Sequence, residues 1–245
     1  RRPPRSTLFP YRRSSDLKAY SKIRTMILTG ELKSGERIPE IKVAELISMK
    51  RGPVRESLIK LESDGLLVSE PHFGFAVRTY TIDEAKQLYE LREVIEGGAA
   101  ALAAKNATSE DIERLKRAHQ AFAEKIERNK DLAKMENAPI EEFSNSTQDE
   151  AFHRAILKAS RNRRFSDYFN TINDEHLCLT LHHDGKKLMR FLYDKESCDH
   201  HQCIMEAIIR GDSEKAEQEA RHHIRKARAE IGRAHVELQS RGHLV

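Results

Sequence analysis

The stretch Arg51-Gly-Pro-Val-Arg-Glu-Ser-Leu-Ile-Lys-Leu-Glu-Ser-Asp-Gly-Leu-Leu67 has a sharp start and a sharp stop, and it limits the folds open to the N-terminal part of the chain. Pro53 suits the first helical position, where a missing N–H costs nothing and the fixed φ is already helical, which would make Gly52 the N-cap. Val54, Leu58 and Leu61 recur at i, i+4 and i+7 and form one apolar stripe. Gly65 fits the left-handed residue that ends a helix. Arg51, Arg55 and Lys60 lie off the stripe, so one face can pack while another offers cations. A short helix of this kind suits the major groove of DNA, and it also suits an ordinary solvated surface.

The neighbouring segments choose between these readings. Leu17 to Leu28 carries Tyr20, Ile23 and Ile27 at helical spacing and stops near Gly30. Ile41 to Ile47 is a second short helix with Val43, Leu46 and Ile47 apolar, and Ser48-Met49-Lys50 is a tight connection. Leu66–Val68 and Phe75–Val77 read as short strands around the turn-forming tip Glu70-Pro-His-Phe-Gly74, while Glu36–Pro39 is long enough only for a minor strand. Three helices and a two-stranded hairpin make a winged helix-turn-helix over residues 17–80.

No strand pattern follows Val77. Thr81-Ile-Asp-Glu84 is a capping box that opens a helix running to about Lys105, with Leu88, Leu91, Ile95, Ala99 and Leu102 on one side. Gly97-Gly98 would weaken that helix in isolation, so a close helical neighbour is expected there. Further helices read as about 112–126, 140–160, 163–183, 187–210 and 213–231, with Gly211-Asp212 a stop followed by a fresh N-cap. The fold class is therefore mainly α: an N-terminal winged helix-turn-helix followed by an all-α antiparallel helical bundle over residues 81–231.

Charge is divided between these regions. The chain carries a net +4, but residues 1–16 hold five Arg and one Asp, and 233–245 hold two Arg and one Glu. Both ends lack apolar periodicity and resemble translated sequencing-adapter read-through, so 1–16 and 232–245 are expected to be non-native tails. Residues 17–80 then carry +3 and 81–232 carry −4, so the first region is the one suited to phosphates. No run of about 18 apolar residues occurs, which excludes a transmembrane helix. Cys178, Cys198 and Cys203 lack zinc-ribbon or CxxC spacing, which points to free thiols in a reducing, cytoplasmic compartment.

The bundle places polar groups where its stripes should be apolar. Asp149, Phe152, His153 and Ile156 share one helical face; His201, Ile204, Met205 and Ile208 share another; Ala216, Ala220, His223 and Ala227 share a third. One carboxylate and three imidazoles thus point toward the core. Asp149 and His153, one turn apart, can grip a single ion. This donor set suits a divalent transition metal, Zn, Ni or Mn, better than Ca or Mg. A lone core-facing histidine is ordinarily a hydrogen-bonded core residue; three of them with an aspartate favour the metal reading. Arg92, between Leu88 and Ile95, needs an anion, which could be an effector carboxylate or Glu96 or Glu93 of its own helix. His176 could reach the same pocket or serve as a core or surface residue.

These residues carry two resemblances. Ile27-Leu28-x-Gly30, Gly35-Glu-Arg37, Arg51-Gly-Pro-Val-Arg-Glu-Ser-Leu58, Leu61-x-x-x-Gly65-Leu66 and Gly74-x-x-Val77 resemble the DNA-binding domain of the GntR superfamily of bacterial regulators. The resemblance implies that Arg51 and Arg55 contact a double-stranded operator, with Lys50 and Gly52 at the helix start and His72 and Gly74 at the wing tip near the minor groove. Ile41 stands where the family usually has Arg, and Lys50-Arg-Gly-Pro53 where it has Ser-Arg-Thr-Pro. The second resemblance covers residues 83–231. Asp149-x-x-Phe-His153, His201-x-x-Ile-Met-x-Ala-Ile208-x-x-Gly-Asp212 and Arg221-x-His223-Ile224 resemble the FCD-type effector domain of the FadR-like subgroup. It implies that Asp149, His153, His201 and His223 hold a divalent ion that helps bind a small carboxylate effector.

The expected protein is thus a ligand-responsive regulator, usually a repressor, acting as a homodimer on a palindromic operator. A single module buries little surface, and two recognition helices can span adjacent grooves. The alternatives are a metal-dependent enzyme carrying a winged helix, which would lack a well-placed general base, and a direct metal sensor.

Overall fold

The structure is a computed structural model and describes residues 14–70, 74–129, 146–170, 172 and 195–240. The chain divides into two compact units, Arg1–Thr79 and Tyr80–Val245. The architecture is helical with one small sheet, as the apolar spacing predicts.

The first unit runs α1 (Ser14–Leu28), β1 (Arg37–Ile38), α2 (Glu40–Leu46), α3 (Arg51–Ser63), β2 (Leu67–Glu70) and β3 (Gly74–Val77). Val54, Leu58 and Leu61 of α3 are fully buried, as are Ile23 and Ile27 of α1, and the two helices pack together. Each such aliphatic side chain contributes about 1.5–3 kcal/mol on burial. The helix starts earlier than the proline suggests: Lys50 is the N-cap, and Pro53 lies third in the first turn. The missing N–H is harmless there too, because the whole first turn lacks intrahelical acceptors. At the other end Gly65 N–H donates to the Glu62 carbonyl at 3.0 Å and Leu66 N–H to that of Leu61 at 2.9 Å, with Gly65 at φ 82°. This double bond pattern needs a left-handed residue. Gly65→Ala should therefore destabilise the unit by about 1–2 kcal/mol, read as a lower thermal midpoint; an unchanged midpoint would contradict it.

Three expectations change in this unit. β1 pairs with β3, Arg37 opposite Ala76 and Ile38 opposite Phe75, so the wing is a three-stranded antiparallel sheet of order β1-β3-β2 rather than a two-stranded hairpin. Leu46 is 61% exposed and Ala44 takes its place in the core, since the buried face of α2 is set by Val43, Ala44 and Ile47. Leu46 falls roughly 100° away from their mean direction. The first helix opens at Ser14, and the Asp16 carbonyl accepts a 3.1 Å bond from the buried Ser57 hydroxyl, so Asp16 packs with the domain.

The second unit contains α4 (Ile82–Asn106), α5 (Ser109–Asn129), α6 (Ser146–Ala159), α7 (residues 163–170), α8 (Lys195–Ile209) and α9 (Ser213–Ser240). The capping box forms: Glu84 N–H donates to Thr81 Oγ1 at 3.2 Å while Thr81 N–H donates to the Glu84 carboxylate at 2.8 Å. α4 and α9 form the most extensive pairing, and α6 and α8 pack against α5 and α4. The glycine pair allows this approach. A methyl on Gly97 would lie 2.7 Å from Arg221 Cγ on α9, and one on Gly98 3.2 Å from Phe165 Cζ on α7.

The inward face of α4 is centred differently from the apolar reading. Leu91 is 46% exposed, whereas Tyr89, Arg92, Glu96 and Ala100 are buried. α9 continues past the expected end at residue 231 to Ser240, since a single Gly232 costs a helix only about 1 kcal/mol. No helix among the described residues is long and apolar enough to cross a membrane.

Candidate functional site

In the first unit, the start of α3 collects most of the residues expected to meet DNA. Lys50 caps the helix through its backbone alone, leaving the first-turn amides of Arg51 and Gly52 without a side-chain acceptor. Such amides suit a phosphate oxygen. The Arg51 and Arg55 side chains are 65% and 67% exposed, and both guanidinium groups lie near one carboxylate, Glu40 at the start of α2, at 3.8 and 3.9 Å. Lys60, the third cation off the stripe, is paired with Asp64 one turn on. Gly74 is exposed at the start of β3, opposite Glu70. His72 lies outside the described residues.

In the second unit Asp149 and His153 of α6, His201 of α8 and His223 of α9 converge. All four are buried, and each offers a ligand atom within 4.8 Å of the others. His201 Nε2 lies 3.3 Å from His223 Nε2 and 3.5 Å from Asp149 Oδ1, and His153 Nε2 lies 3.6 Å from the same oxygen. Nitrogen and oxygen ligands about 2.0–2.2 Å from a tetrahedral zinc ion stand roughly 3.4 Å apart, so these separations suit a shared cation. His153 Nε2 and His201 Nδ1 are buried without a hydrogen bond. Leaving such a nitrogen unmatched costs about 1–3 kcal/mol, and an ion among the Nε2 atoms would satisfy the first. The donor set and its spacing therefore fit a divalent transition metal.

Electrostatics prepare the cluster for this. Burial, reinforced by neighbouring imidazoles, holds His201 well below its ordinary pKa and His223 down at about 3, so both rings are neutral and have lone pairs to give. Burial pulls His153 the same way, but the Glu96 and Asp149 carboxylates overcome it and push the imidazole up to about 9. Glu96 is pulled up by burial, yet Arg92 and His153 hold it far below the carboxylate range. In the metal-free protein a proton thus sits on His153 where a cation would sit, and metal binding would release it.

The packing around the ligands is aromatic. The Phe152 ring stacks on His201 with centroids 4.0 Å apart at 16°, and Phe122 lies 4.8 Å away on a tilt. Arg92 is buried and donates from Nε to Glu96 Oε1 at 2.7 Å, which realises the intrahelical partner among the anions considered for it. The second oxygen of Glu96 contacts His153 Nδ1. That cross-helix contact and the approach of Phe122 have no signal in helical periodicity, whereas Phe152 lies on the face that the spacing of α6 gave. A small cavity beside the cluster is lined by Glu96, Ala99, Ile156, Ile204, Ala220 and His223, among others. His176 lies outside the described residues.

Comparison with known proteins covers both units. The sequence pattern described as bacterial regulatory proteins, gntR family, matches residues 16–77, and that described as the FCD domain matches residues 87–226. The HTH-type transcriptional regulator YdhC of Bacillus subtilis (strain 168) is 27% identical over 216 residues, 85% of this chain and 87% of that protein. The HTH-type transcriptional regulator LutR of the same organism is 26% identical over 220 residues, 81% and 93% of the two chains. Among solved structures, Escherichia coli McbR/YncC shares the fold with a TM-score of 0.73 at 21% identity, covering 90% of this chain and 98% of that one.

Proposed function

Because the chain belongs to the GntR family of bacterial regulatory proteins and carries an FCD domain, and is a transcriptional regulator rather than an enzyme, we propose that a divalent ion and a small organic acid held by the helical unit alter operator binding by the winged-helix unit. The observation that carries this reading is the buried convergence of Asp149, His153, His201 and His223. A buried group of that composition has no role in packing that apolar residues would not perform better.

In this reading the two units divide the labour as the family resemblance implies. Asp149, His153, His201 and His223 hold a Zn, Ni or Mn ion. The bound ion supplies a positive centre for an effector carboxylate, with Arg92 and His176 the further residues expected to meet that acid. Arg51 and Arg55 read base edges in the major groove, Lys50 and Gly52 hold a phosphate at the start of α3, and His72 and Gly74 are the residues expected to meet the minor groove. The working form is a cytoplasmic homodimer and a repressor on a palindromic operator. The effector acts only through its differential affinity for the DNA-binding and released states.

A thermal-shift screen tests the effector half. Protein loaded with zinc, nickel or manganese, and protein stripped of metal, would be heated with sugar acids, hydroxy acids and dicarboxylates. A true effector at about 100 times its Kd adds roughly 2.7 kcal/mol, should do so only with metal present, and should change operator affinity over the same concentrations. Operator affinity that followed metal alone, with no acid having any effect, would overturn the organic-acid reading in favour of direct metal sensing.

A further inference from the structure

Glu96 is a buried carboxylate that does two things at once. Its side chain is 5% exposed, as is that of Arg92, and that of His153 is 3% exposed. Oε1 accepts from Arg92 Nε at 2.7 Å, one turn back on α4, while Oε2 contacts His153 Nδ1 across the bundle on α6. A guanidinium and a carboxylate left to themselves form a two-point fork. Here one oxygen of the fork is turned to the imidazole instead.

Geometry on the other side of that imidazole explains the choice. An imidazole whose Nδ1–H is held by a carboxylate keeps its lone pair on Nε2. In His153 it is Nε2 that faces the cluster, 3.6 Å from Asp149 Oδ1 and without a hydrogen bond. Carboxylates placed this way orient histidine ligands and raise their basicity. We propose that Glu96 is the positioning carboxylate of the metal centre, holding His153 with Nδ1 protonated and Nε2 aimed at the ion, and that Arg92 serves the centre by holding Glu96. The inference rests on the metal-binding reading above. It gives Arg92 a part in the site that needs no effector, since it acts on the ion through two side chains.

The test is a double-mutant cycle on zinc affinity, measured with the full chain by competition against a chromophoric chelator. Glu96→Gln keeps the size and removes the charge, and should weaken zinc binding about 10–100-fold. In a His153→Ala background no imidazole remains for Glu96 to hold, so the same change should cost less than about threefold. Wild-type affinity in Glu96→Gln would overturn the proposal. Equal weakening in both backgrounds would also overturn it, because a general packing role acts without His153. If Glu96→Gln does not fold, Arg92→Met with Glu96→Gln removes both buried charges together and must show the same His153-dependent loss. A wild-type chain that binds no zinc, or a His201→Ala, His223→Ala chain that binds as tightly as wild type, would instead overturn the metal reading itself.

Discussion

Replacing Arg51 and Arg55 together by alanine is expected to abolish sequence-specific DNA binding while leaving the winged-helix unit folded. Both side chains are about two-thirds exposed, and each lies near one carboxylate, that of Glu40, at 3.8 and 3.9 Å. Exposed pairs at such distances are worth about 0–1 kcal/mol, so the melting temperature should barely move. The loss belongs to the complex. Each guanidinium that grips a guanine contributes roughly 1–3 kcal/mol of discrimination, and two of them together about 30-fold or more in specific affinity. The measurement is fluorescence anisotropy on the duplex that the wild-type protein selects from a randomised library, repeated across salt concentrations. Removing two cations should also flatten the salt dependence, because fewer counterions are released on binding. A double variant that bound the selected duplex with wild-type affinity would sink the assignment of α3 as the reading helix.

What could be read without coordinates was local. Val54, Leu58 and Leu61 are buried because three and four residues bring a helix back to the same face. Thr81 and Glu84 cap α4 because their side chains reach each other's backbone within one turn. The same periodicity put Asp149, His153, His201 and His223 on inward faces, and the structure brings these faces to one point. Periodicity does not report which element packs opposite. Leu46 and Leu91 sit at apolar-looking positions on faces that their own units leave exposed, and Arg92 and Glu96 sit on one that the bundle buries. The pairing of β1 with β3 joins residues nearly forty apart, and the grip of Glu96 on His153 joins residues more than fifty apart. Neither leaves a mark on the helical or strand period of its own segment. The helix ends moved for a related reason: a helix stops only where backbone or capping chemistry stops it, and neither Ser14–Asp16 nor the run from Arg233 to Ser240 supplies that.

His201→Ala combined with His223→Ala should remove the bound metal altogether. Wild-type protein purified without chelator is expected to carry about one transition-metal ion per chain, and the variant essentially none, since two ligands of a four-ligand set cannot hold an ion against buffer. Proton linkage gives the same prediction a second, independent readout. In the metal-free protein burial depresses the pKa of His201 and His223, so the unfolded chain takes up protons near pH 6.5 that the folded chain refuses. Their contribution is complete above pH 6.5 and is lost as pH falls toward about 3 for His223, at up to about 1.4 kcal/mol per pH unit for each ring. His153 runs the other way: raised to about 9, it stabilises the fold fully below pH 6.5 and loses that contribution as pH rises through 9. Metal-free wild type should therefore melt highest near pH 6.5 and lower on both sides. An ion takes the place of the His153 proton, so the gap in melting temperature between metal-loaded and metal-free protein should widen from pH 6.5 to 9. The His201→Ala, His223→Ala variant should lose that gap and the acid limb together. Equal metal content in the two proteins, or a metal-induced shift that persists in the variant, would mean that these four residues are a buried polar core and not a ligand set.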